Sequence, residues 1–463
     1  MPPVTASKTT VDTAPVSSEA AESVDTAPPS RNAGENVDTV PLSLKAEGDV
    51  DTVPLSREAG EGQGGGSRPR PTSSHPPRRL AIVASHPIQY QAPLFRELAK
   101  RPEIDLTVFF CSDHGVTERL DPGFGQTFKW DLPLLEGYQH EFVPNRSPKP
   151  GVTGFFGELN PALVWKLAQG RFDAVLVHGY AYASCWLAFA GAKLGGARLL
   201  MRGESHLLEP RPLWKRALKQ ALLRPTFKLL DAGLPIGSLN YEYYRHYGVS
   251  PLKLIYAPYA VDNDFFAREA ARWRPERASI RRELGIPEQA PVALFCAKLL
   301  PKKRPLDLLQ ALVQTQHTPP IHALIVGDGP LRAECEAFAR AKLPGRVTFA
   351  GFQNQTALPR IYAAADLLVL PSDLEPWGLV VNEAMAAGLP VLASSAVGAT
   401  ADLVRPGETG QVFPVGDLTA LARALDESCA PGRLEALSRG ARSRIARWSL
   451  RETADGIVRG LSS

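Results

Sequence analysis

The stretch Glu375-Pro-Trp-Gly378-Leu-Val-Val-Asn-Glu383-Ala-Met-Ala-Ala-Gly388-Leu-Pro390-Val decides how this chain folds. It lies between two apolar runs, Leu367 to Leu370 and Pro390 to Ala393, each with the length and composition of a buried strand. The glycine and proline at its end are typical of a helix terminus. The stretch therefore predicts a helix over 378–387 that connects two strands of a parallel sheet.

The N-terminus of this predicted helix is suited to an anion such as a diphosphate. The N–H groups of residues 378–380 have no partner within the helix, and the helix dipole favours negative charge there. Glu375 and Glu383 are placed so that one carboxylate reaches sugar hydroxyls and the other accepts from ribose hydroxyls. Each has a structural alternative, since Glu375 could stabilise the helix N-terminus and Glu383 could belong to a solvated helix face.

Outward from this stretch, short apolar runs alternate with amphipathic segments from residue 79 onward, which predicts an α/β fold with two open, doubly wound parallel sheets. The predicted strands are 80–85, 104–111, 173–178, 198–201 and 232–236 in the first series, and 292–298, 322–326, 346–350, 366–371 and 390–393 in the second. The predicted helices are 91–100, 161–168, 183–194 and 213–223, then 305–315, 330–342, 356–365, 378–387, 417–428 and 433–448. Because ligands bind at the carboxyl ends of such strands, two facing sheets predict one shared central cleft.

Residues 1–78 have a different composition, dominated by Pro, Gly, Ser, Thr, Ala, Glu and Asp. The tripeptide Val-Asp-Thr recurs every thirteen residues, starting at 11, 24, 37 and 50. A segment with so few large apolar side chains cannot offset its ordering entropy, so a disordered repeat tail and linker is predicted.

Charge and cysteine content narrow the class of protein. A formal net charge of +4 on 463 residues gives no support for nucleic-acid binding. The five cysteines are scattered singly, which is typical of a reducing cytoplasm. No apolar run is long enough to span a bilayer and no signal peptide follows Met1, so a cytoplasmic protein is expected.

Several motifs together resemble the glycosyltransferase family 4 (group 1) enzymes, whose hallmark is a Glu, seven intervening residues and a second Glu. The resemblance runs in family order from about 292 to 415 and implies the GT-B architecture, with two Rossmann-like domains facing a cleft. It implies an N-terminal acceptor domain at 79–255, a donor domain at 256–440, and a C-terminal helix at 441–463 that crosses back, with Trp448 as its anchor.

The resemblance also implies roles for individual residues. Lys298, where Arg is more usual, and Lys303 grip the donor diphosphate, while Glu375 and His178 contact the donor sugar. His178 at a strand end has the alternative of a structural hydrogen bond. The further donor-binding residues implied are Gly327, Gly329, Gly351, Phe352, Trp377, Gly378, Leu379, Val380 and Glu383.

The acceptor side is less closely matched. Many family members have a Gly-Gly turn in the first loop, where this chain has Ser85-His86-Pro-Ile-Gln89-Tyr90. His86, Gln89 and Tyr90 are therefore candidates for shaping the acceptor site. Arg202 and Glu204, which end another predicted strand, either bind the acceptor or pair with each other.

The implied activity is retaining transfer of a sugar from a UDP- or GDP-linked donor to a hydroxyl of a glycan, lipid-linked or small-molecule acceptor, in polysaccharide or glycolipid biosynthesis. No cofactor and no metal are expected, because Asp49-Val-Asp51 lies in the tail and family members carry a Val-Asp without metal where this chain has Asp262-Asn-Asp264. Two alternatives remain open: a catalytically silent homologue that binds nucleotide-sugar, and a GT-B epimerase or hydrolase.

The segment 210–230 is a basic amphipathic stretch. It contains Arg211, Lys215, Arg216, Lys219, Arg224 and Lys228, and an apolar stripe formed by Trp214, Leu218, Ala221 and Leu222. Such a helix either lies on an anionic membrane surface, placing the protein peripherally on the inner face with a lipid-linked acceptor, or turns its stripe to the domain core.

Overall fold

The structure, a computed structural model, describes residues 76–462 except for 118, 122–125, 153 and 210. The predicted disordered tail and its repeats lie outside the described residues, except for its last three positions, where Arg78 already begins the first strand.

A six-stranded parallel sheet with helices on both faces forms the first domain. Its elements are β1 Arg78–Ala84, α1 Ala92–Ala99, β2 Ile104–Phe110, the small hairpin β3 Arg119–Asp121 and β4 Gln126–Phe128, β5 Gln139–Phe142, α2 Ala162–Gln169, β6 Ala174–His178, α3 Ala183–Leu194, β7 Arg198–Arg202, α4 Leu213–Lys228, β8 Ala232–Gly233 and α5 Ser238–His246. The strand order β5-β2-β1-β6-β7-β8 reverses direction between β1 and β6. Open α/β sheets bind ligands at such a switch point, beside the carboxyl ends of the two strands.

The second domain repeats the same order with its own six strands. Its elements are α6 Asn263–Trp273, α7 Arg277–Glu283, β9 Val292–Cys296, α8 Pro305–Gln314, β10 His322–Val326, α9 Arg332–Lys342, β11 Val347–Gly351, α10 Leu358–Ala364, β12 Leu367–Leu370, α11 Leu379–Ala386, β13 Val391–Ser394, β14 Gly410–Phe413, α12 Leu418–Cys429 and α13 Arg433–Ile445. Its order β11-β10-β9-β12-β13-β14 puts the switch point between β9 and β12. These two strands lead into the loops that carry Lys303 and Glu375.

The chain passes between the domains twice. Ala257 belongs to the apolar core of the first domain and Tyr259 to that of the second, so the first crossing takes only a few residues. The second crossing follows Trp448, whose ring lies in the core of the second domain. The last helix, α14 Leu450–Ser462, then packs against α1 with Ile457 in the core of the first domain.

Most predicted elements are present, and the crossing helix is present but begins later than predicted. The helix expected at 433–448 ends at Ile445 and packs within the second domain, so it is not the crossing helix. The edge strands β5 and β14, the hairpin β3–β4 and the helices α5, α6 and α7 were not predicted, whereas the crossing helix predicted at 441–463 is α14, which begins at Leu450. Trp448 packs edge to face on Tyr256 of the first crossing, with ring centroids 5.9 Å apart, so it sits at the joint of the two crossings and not on the crossing helix.

Candidate active site

A cavity of about 540 Å³ lies at the carboxyl ends of β1, β6 and β7. The first domain supplies most of its lining, including His86, His178 and Arg202. The second domain closes it with Leu374 and Pro376, which flank Glu375. The two switch points therefore face one cleft, as expected for two opposed open sheets.

Lys303 and Glu375 are brought into contact from loops 72 residues apart in the sequence. Lys303 ends a short turn after β9, and Glu375 follows β12. Their side chains are each 16% exposed, and the ammonium group donates to a carboxylate oxygen. Burial, with Lys302 and Lys298 nearby, lowers the pKa of Lys303 to about 8. Lys298 is half-buried in the same loop, so the two predicted lysines lie on one side of the site.

Gly378 begins helix α11 with a left-handed backbone, at φ 92°. A Cβ atom there would lie 3.1 Å from Cγ of Glu375, so this close approach also favours glycine. Leu379 and Val380 form the first turn and are half-buried beside the loop. Their N–H groups belong to the helix end that has no intrahelical acceptor, and such a turn next to the Lys303–Glu375 pair has the groups that suit an anion.

Glu383 points into the protein, and the solvated-face alternative for it is wrong. It is 7% exposed and accepts hydrogen bonds from the Tyr362 hydroxyl at 2.7 Å and from Nε2 of Gln355 at 3.2 Å. Burial raises the pKa of its carboxyl group. Each carboxylate oxygen has a second lone pair, so both can still accept from a ligand hydroxyl.

Trp377 packs between the two domains. Its side chain is 3% exposed, and its indole N–H donates to Oδ1 of Asn382 at 2.8 Å. A Cβ atom on Gly237 of the first domain would lie only 2.3 Å from the indole ring. The prediction that Trp377 binds the donor is thus not supported by the position of its side chain, which is used in packing.

The predicted glycines hold loops close together. Gly327 has φ 125°, and a Cβ atom on it would lie 2.0 Å from the carbonyl oxygen of Ala297, in the loop that carries Lys298. Gly329 approaches the backbone of Leu299 in the same way, at 2.8 Å. Gly351 at the end of β11 accepts a hydrogen bond from the N–H of Gly327, and Phe352 follows it half-buried. Gly327 and Gly329 therefore allow the loop that follows β10 to lie against the loop that carries Lys298.

His178 ends β6 and lines the cavity. Nε2 of Gln91 donates to its Nδ1 at 3.4 Å, which leaves the ring proton on Nε2. Among the described residues the His178 Nε2 atom, although buried, has no hydrogen-bond partner. Burial and the Arg202 charge lower its pKa to about 3, so the ring is neutral at pH 7 and offers one N–H donor.

Arg202 and Glu204 contact the same tyrosine without an ion pair between them. The Arg202 guanidinium lies 4.8 Å from the ring centroid of Tyr259 and donates to the carbonyl of Pro258 at 3.1 Å. The Tyr259 hydroxyl donates to Glu204, whose side chain faces the cavity. Burial raises the pKa of the Glu204 carboxyl group and the charge of Arg202 acts to lower it, so the two charges attract each other, but in the described residues they form no direct ion pair.

The first loop supplies one of its three predicted residues to the lining of the cavity. His86 lines the cavity, but Gln89 does not, and Tyr90 packs edge to face on Tyr259 at 5.8 Å. Gln91, which was not predicted, lines the cavity in their place. In the sequence, Gln91 is only one of several polar residues in the loop, so nothing distinguishes it as a lining residue.

Glu158 is a second residue that the sequence did not indicate, and it is connected to His86 through Ser85. Glu158 is 1% exposed and accepts from the Ser85 hydroxyl, and burial raises its pKa to about 7. Because Ser85 donates to Glu158, its oxygen accepts from Nδ1 of His86 at 2.8 Å. Burial and His114 lower the pKa of His86 to about 4, so a neutral ring presents Nε2 as an acceptor.

Helix α4 exposes its apolar stripe, so the alternative in which the stripe faces the domain core is wrong. Trp214 is 65% exposed, Leu218 64% and Leu222 52%. The core-facing side of the helix is formed instead by Leu223 and Phe227. Pro210, the first residue of the predicted segment, lies outside the described residues.

The Asp262-Asn-Asp264 segment has a structural use. The Asp262 carboxylate caps helix α6 by accepting from the N–H of Phe265 at 3.0 Å. The other D-x-D, at 49–51, lies outside the described residues. Within the described part of the chain, no helix is both long and apolar enough to cross a membrane.

Comparison with known proteins agrees with this arrangement. The profile of the family "Glycosyl transferases group 1" matches residues 276–441. The D-inositol 3-phosphate glycosyltransferase of Rhodococcus jostii is 34% identical over 226 residues, which are 46% of this chain and 48% of that protein. The Nocardia farcinica protein of the same name is 34% identical over 206 residues, 42% of this chain and 46% of that one. The chain thus spans about half the length of these curated relatives.

Solved structures match over a longer part of the chain. The glycosyltransferase from Rickettsia africae has a TM-score of 0.65 at 16% identity and covers 84% of this chain and 98% of its own. Anabaena Alr3699/HepE in complex with UDP has a TM-score of 0.63 at 20% identity. The match covers 83% of this chain and 99% of the Anabaena chain. At such identities these structures show the fold. The chain therefore has the GT-B fold of two facing Rossmann-like domains, and its residues 276–441 match the model of the group 1 glycosyl transferases.

Proposed function

We propose that this protein transfers a sugar from a nucleotide-diphosphate donor to an acceptor hydroxyl. The observation that carries the proposal is the contact of Lys303 with Glu375 beside the free N-terminus of α11. The lysine ammonium group and the helix N–H groups can stabilise the negative charge that develops on a diphosphate as its bond to the sugar breaks. The glycosyltransferase activity named for the curated relatives points the same way.

The residues suggest how the donor lies. The diphosphate occupies the first turn of α11, countered by Lys298 and Lys303, and Glu383 accepts from the ribose hydroxyls. The sugar then extends toward the cavity, where Glu375 and the Nε2–H of His178 orient its hydroxyls. Gly327, Gly329, Gly351 and Phe352 border the nucleotide through the loops that they shape.

The proposed reaction retains the anomeric configuration. The bond between the anomeric carbon and the phosphate oxygen breaks, and its electron pair stays on the diphosphate. The acceptor oxygen bonds to the same face of the sugar, and the departing phosphate oxygen takes the acceptor proton. Neither a protein nucleophile nor a metal is needed in this scheme, so turnover is expected to persist in a chelator. Complete loss of turnover in chelator, restored by magnesium, would contradict it.

The experiment that tests the proposal incubates the full chain with UDP-, GDP- and ADP-sugars, and follows nucleotide release with and without glycan, lipid-linked and small-molecule acceptors. Release that depends on an acceptor supports a transferase, and a UDP- or GDP-sugar is expected to be the donor. Binding without release would favour the silent homologue, and release independent of acceptor would favour epimerase or hydrolase chemistry.

Helix α4 supports a second part of the proposal, peripheral contact with an anionic membrane from the cytoplasmic side and a lipid-linked acceptor. Its exposed Trp214, Leu218 and Leu222 accompany a row of basic residues with no acidic residue on the helix. An apolar stripe flanked by cations is the surface that anionic lipid attracts. Equal sedimentation with neutral and anionic liposomes would contradict this contact.

A further inference from the structure

A second cavity, of about 260 Å³, adjoins the central cleft on its α4 side. Four residues line both cavities, namely His206, Glu209, Arg211 and Lys219. The second cavity is therefore a continuation of the acceptor side of the cleft, within the first domain. None of the residues assigned above to the donor lines it.

The charge of this cavity is strongly positive. Arg211, Arg216 and Lys219 contribute three cations, and Glu209 is the one carboxylate among the lining residues. Glu209 is already engaged, because Nε of Arg211 donates to it at 3.1 Å. Two uncompensated positive charges therefore remain in a concave site, which attracts an anion of two negative charges.

The Lys219 ammonium is held in place by aromatic rings. It lies 5.0 Å from the ring centroid of Tyr243 and 5.8 Å from those of Tyr180 and Tyr247. Cation–π contacts fix the position of the charge and leave its N–H donors unused, because a ring face accepts no conventional hydrogen bond in their place. Lys219 is thus a preorganised cation at the boundary of the two cavities.

His206 adds a neutral hydrogen-bond donor to the lining of the same cavity. Nδ1 of His206 accepts from the N–H of Leu208 at 3.1 Å, so the neutral ring carries its proton on Nε2. Cations combined with a neutral N–H donor are the groups that bind the oxygen atoms of a phosphate, and arginine is especially suited to it.

We propose that this cavity, lined by His206, Arg211, Arg216 and Lys219, binds a phosphate group carried by the acceptor. The proposal rests on the proposed function and adds the class of acceptor: a phosphate ester whose hydroxyl reaches the central cleft while its phosphate is held beside α4. The phosphate belongs either to a soluble phosphate ester or to a lipid, because the exposed Leu207 and Leu208 rim the same cavity.

The test measures binding of inorganic phosphate to the full chain by calorimetry, at constant ionic strength and with saturating UDP so that the donor site is filled. Lys219→Gln is expected to weaken phosphate binding about tenfold, since it removes a charge-assisted contact, and Arg216→Gln is expected to weaken it less, about threefold, because solvent screens its exposed charge. Arg216 is exposed, so its substitution tests the site without disturbing the tyrosine packing. Arg245→Gln is the matched control: it removes an exposed arginine that does not line the cavity, and no change is expected.

UDP binding is measured on the same samples and is expected to be equal in all of them. Phosphate binding that is absent from the parent protein, or unchanged in both variants, would overturn the inference. Failure of UDP to bind would instead overturn the proposed donor function. The phosphate site would then be judged from the phosphate titrations only.

A second arm identifies the source of the phosphate. Vesicles of phosphatidylcholine containing phosphatidic acid are sedimented with the protein, with and without inorganic phosphate at matched ionic strength. Displacement of the protein by phosphate, absent in Arg216→Gln, supports a lipid-borne phosphate in this cavity. Phosphate binding in solution with no such displacement supports a soluble phosphate ester.

Discussion

Replacing Lys303 with alanine should weaken binding of UDP by about 1.5–3 kcal/mol, or about 10- to 150-fold. The estimate follows from the position of the ammonium group, which is 16% exposed and stands beside the first turn of α11. Hydrogen bonds to charged groups contribute about this much when the site is partly removed from water. An exposed lysine would contribute far less, because solvent screens it.

The substitution also changes Glu375, which loses the cation it contacts. An unpaired carboxylate beside the diphosphate adds repulsion to the lost attraction. The double variant Lys303→Ala/Glu375→Gln should therefore bind UDP more tightly than Lys303→Ala alone. The affinity recovered in the double variant measures the repulsion by the Glu375 carboxylate. The loss that remains measures the direct contact of Lys303 with the diphosphate.

The assay is calorimetric titration of UDP at pH 7, with thermal unfolding as a check on the fold. Lys302→Ala is the matched control, because Lys302 precedes Lys303 in the same turn but is exposed. Its UDP affinity should stay within about threefold of the parent. Equal affinities for Lys303→Ala and the parent, or equal losses in both variants, would refute the placement of the diphosphate.

Three further predictions concern the same region. As the pH rises through about 8, Lys303 loses its proton, so UDP affinity should fall above pH 8 in calorimetric titrations, while a flat profile to about pH 10 would contradict this. Glu383→Gln should lower UDP affinity about tenfold with little change in Tm, since an amide keeps contact with Tyr362 but loses an acceptor oxygen, and an unchanged Kd would argue against a role in ribose binding. Gly237→Ala should destabilise the protein by about 1–3 kcal/mol, because its Cβ atom meets Trp377, and a thermal melt equal to that of the parent would show that the joint can relax.

The fold of the segment proposed to bind the donor could be predicted from the sequence because its signals are local. The turn before α11 is specified by a left-handed glycine, a preceding acid and a helix that ends at glycine and proline within one short stretch. The acceptor side depends on contacts between distant residues. Glu158 reaches Ser85 across 73 positions, and nothing near Glu158 in the sequence marks it as a buried carboxyl group.

Helix α4 shows a different limit of sequence reasoning. The spacing of Trp214, Leu218 and Leu222 predicts an apolar stripe, but a stripe of the same period can face the core or the solvent. The structure places Leu223 and Phe227 against the core, which leaves the stripe outside. The choice depends on which of two apolar faces packs better on the sheet, and that is a tertiary property.

The donor helix and the acceptor cavity are linked by one continuous set of contacts through the joint of the domains. The Trp377 indole donates to Asn382, and Nδ2 of Asn382 donates to the carbonyl of Tyr259 at 2.8 Å. The Tyr259 hydroxyl in turn donates to Glu204 in the cavity. Trp377 and Tyr259 share the core of the second domain, so the hydrogen bond from Tyr259 to Glu204 is the step in this set that reaches the first domain. The turn assigned to the diphosphate and the first-domain lining of the cavity are therefore connected through the hydrogen bonds of one buried tyrosine.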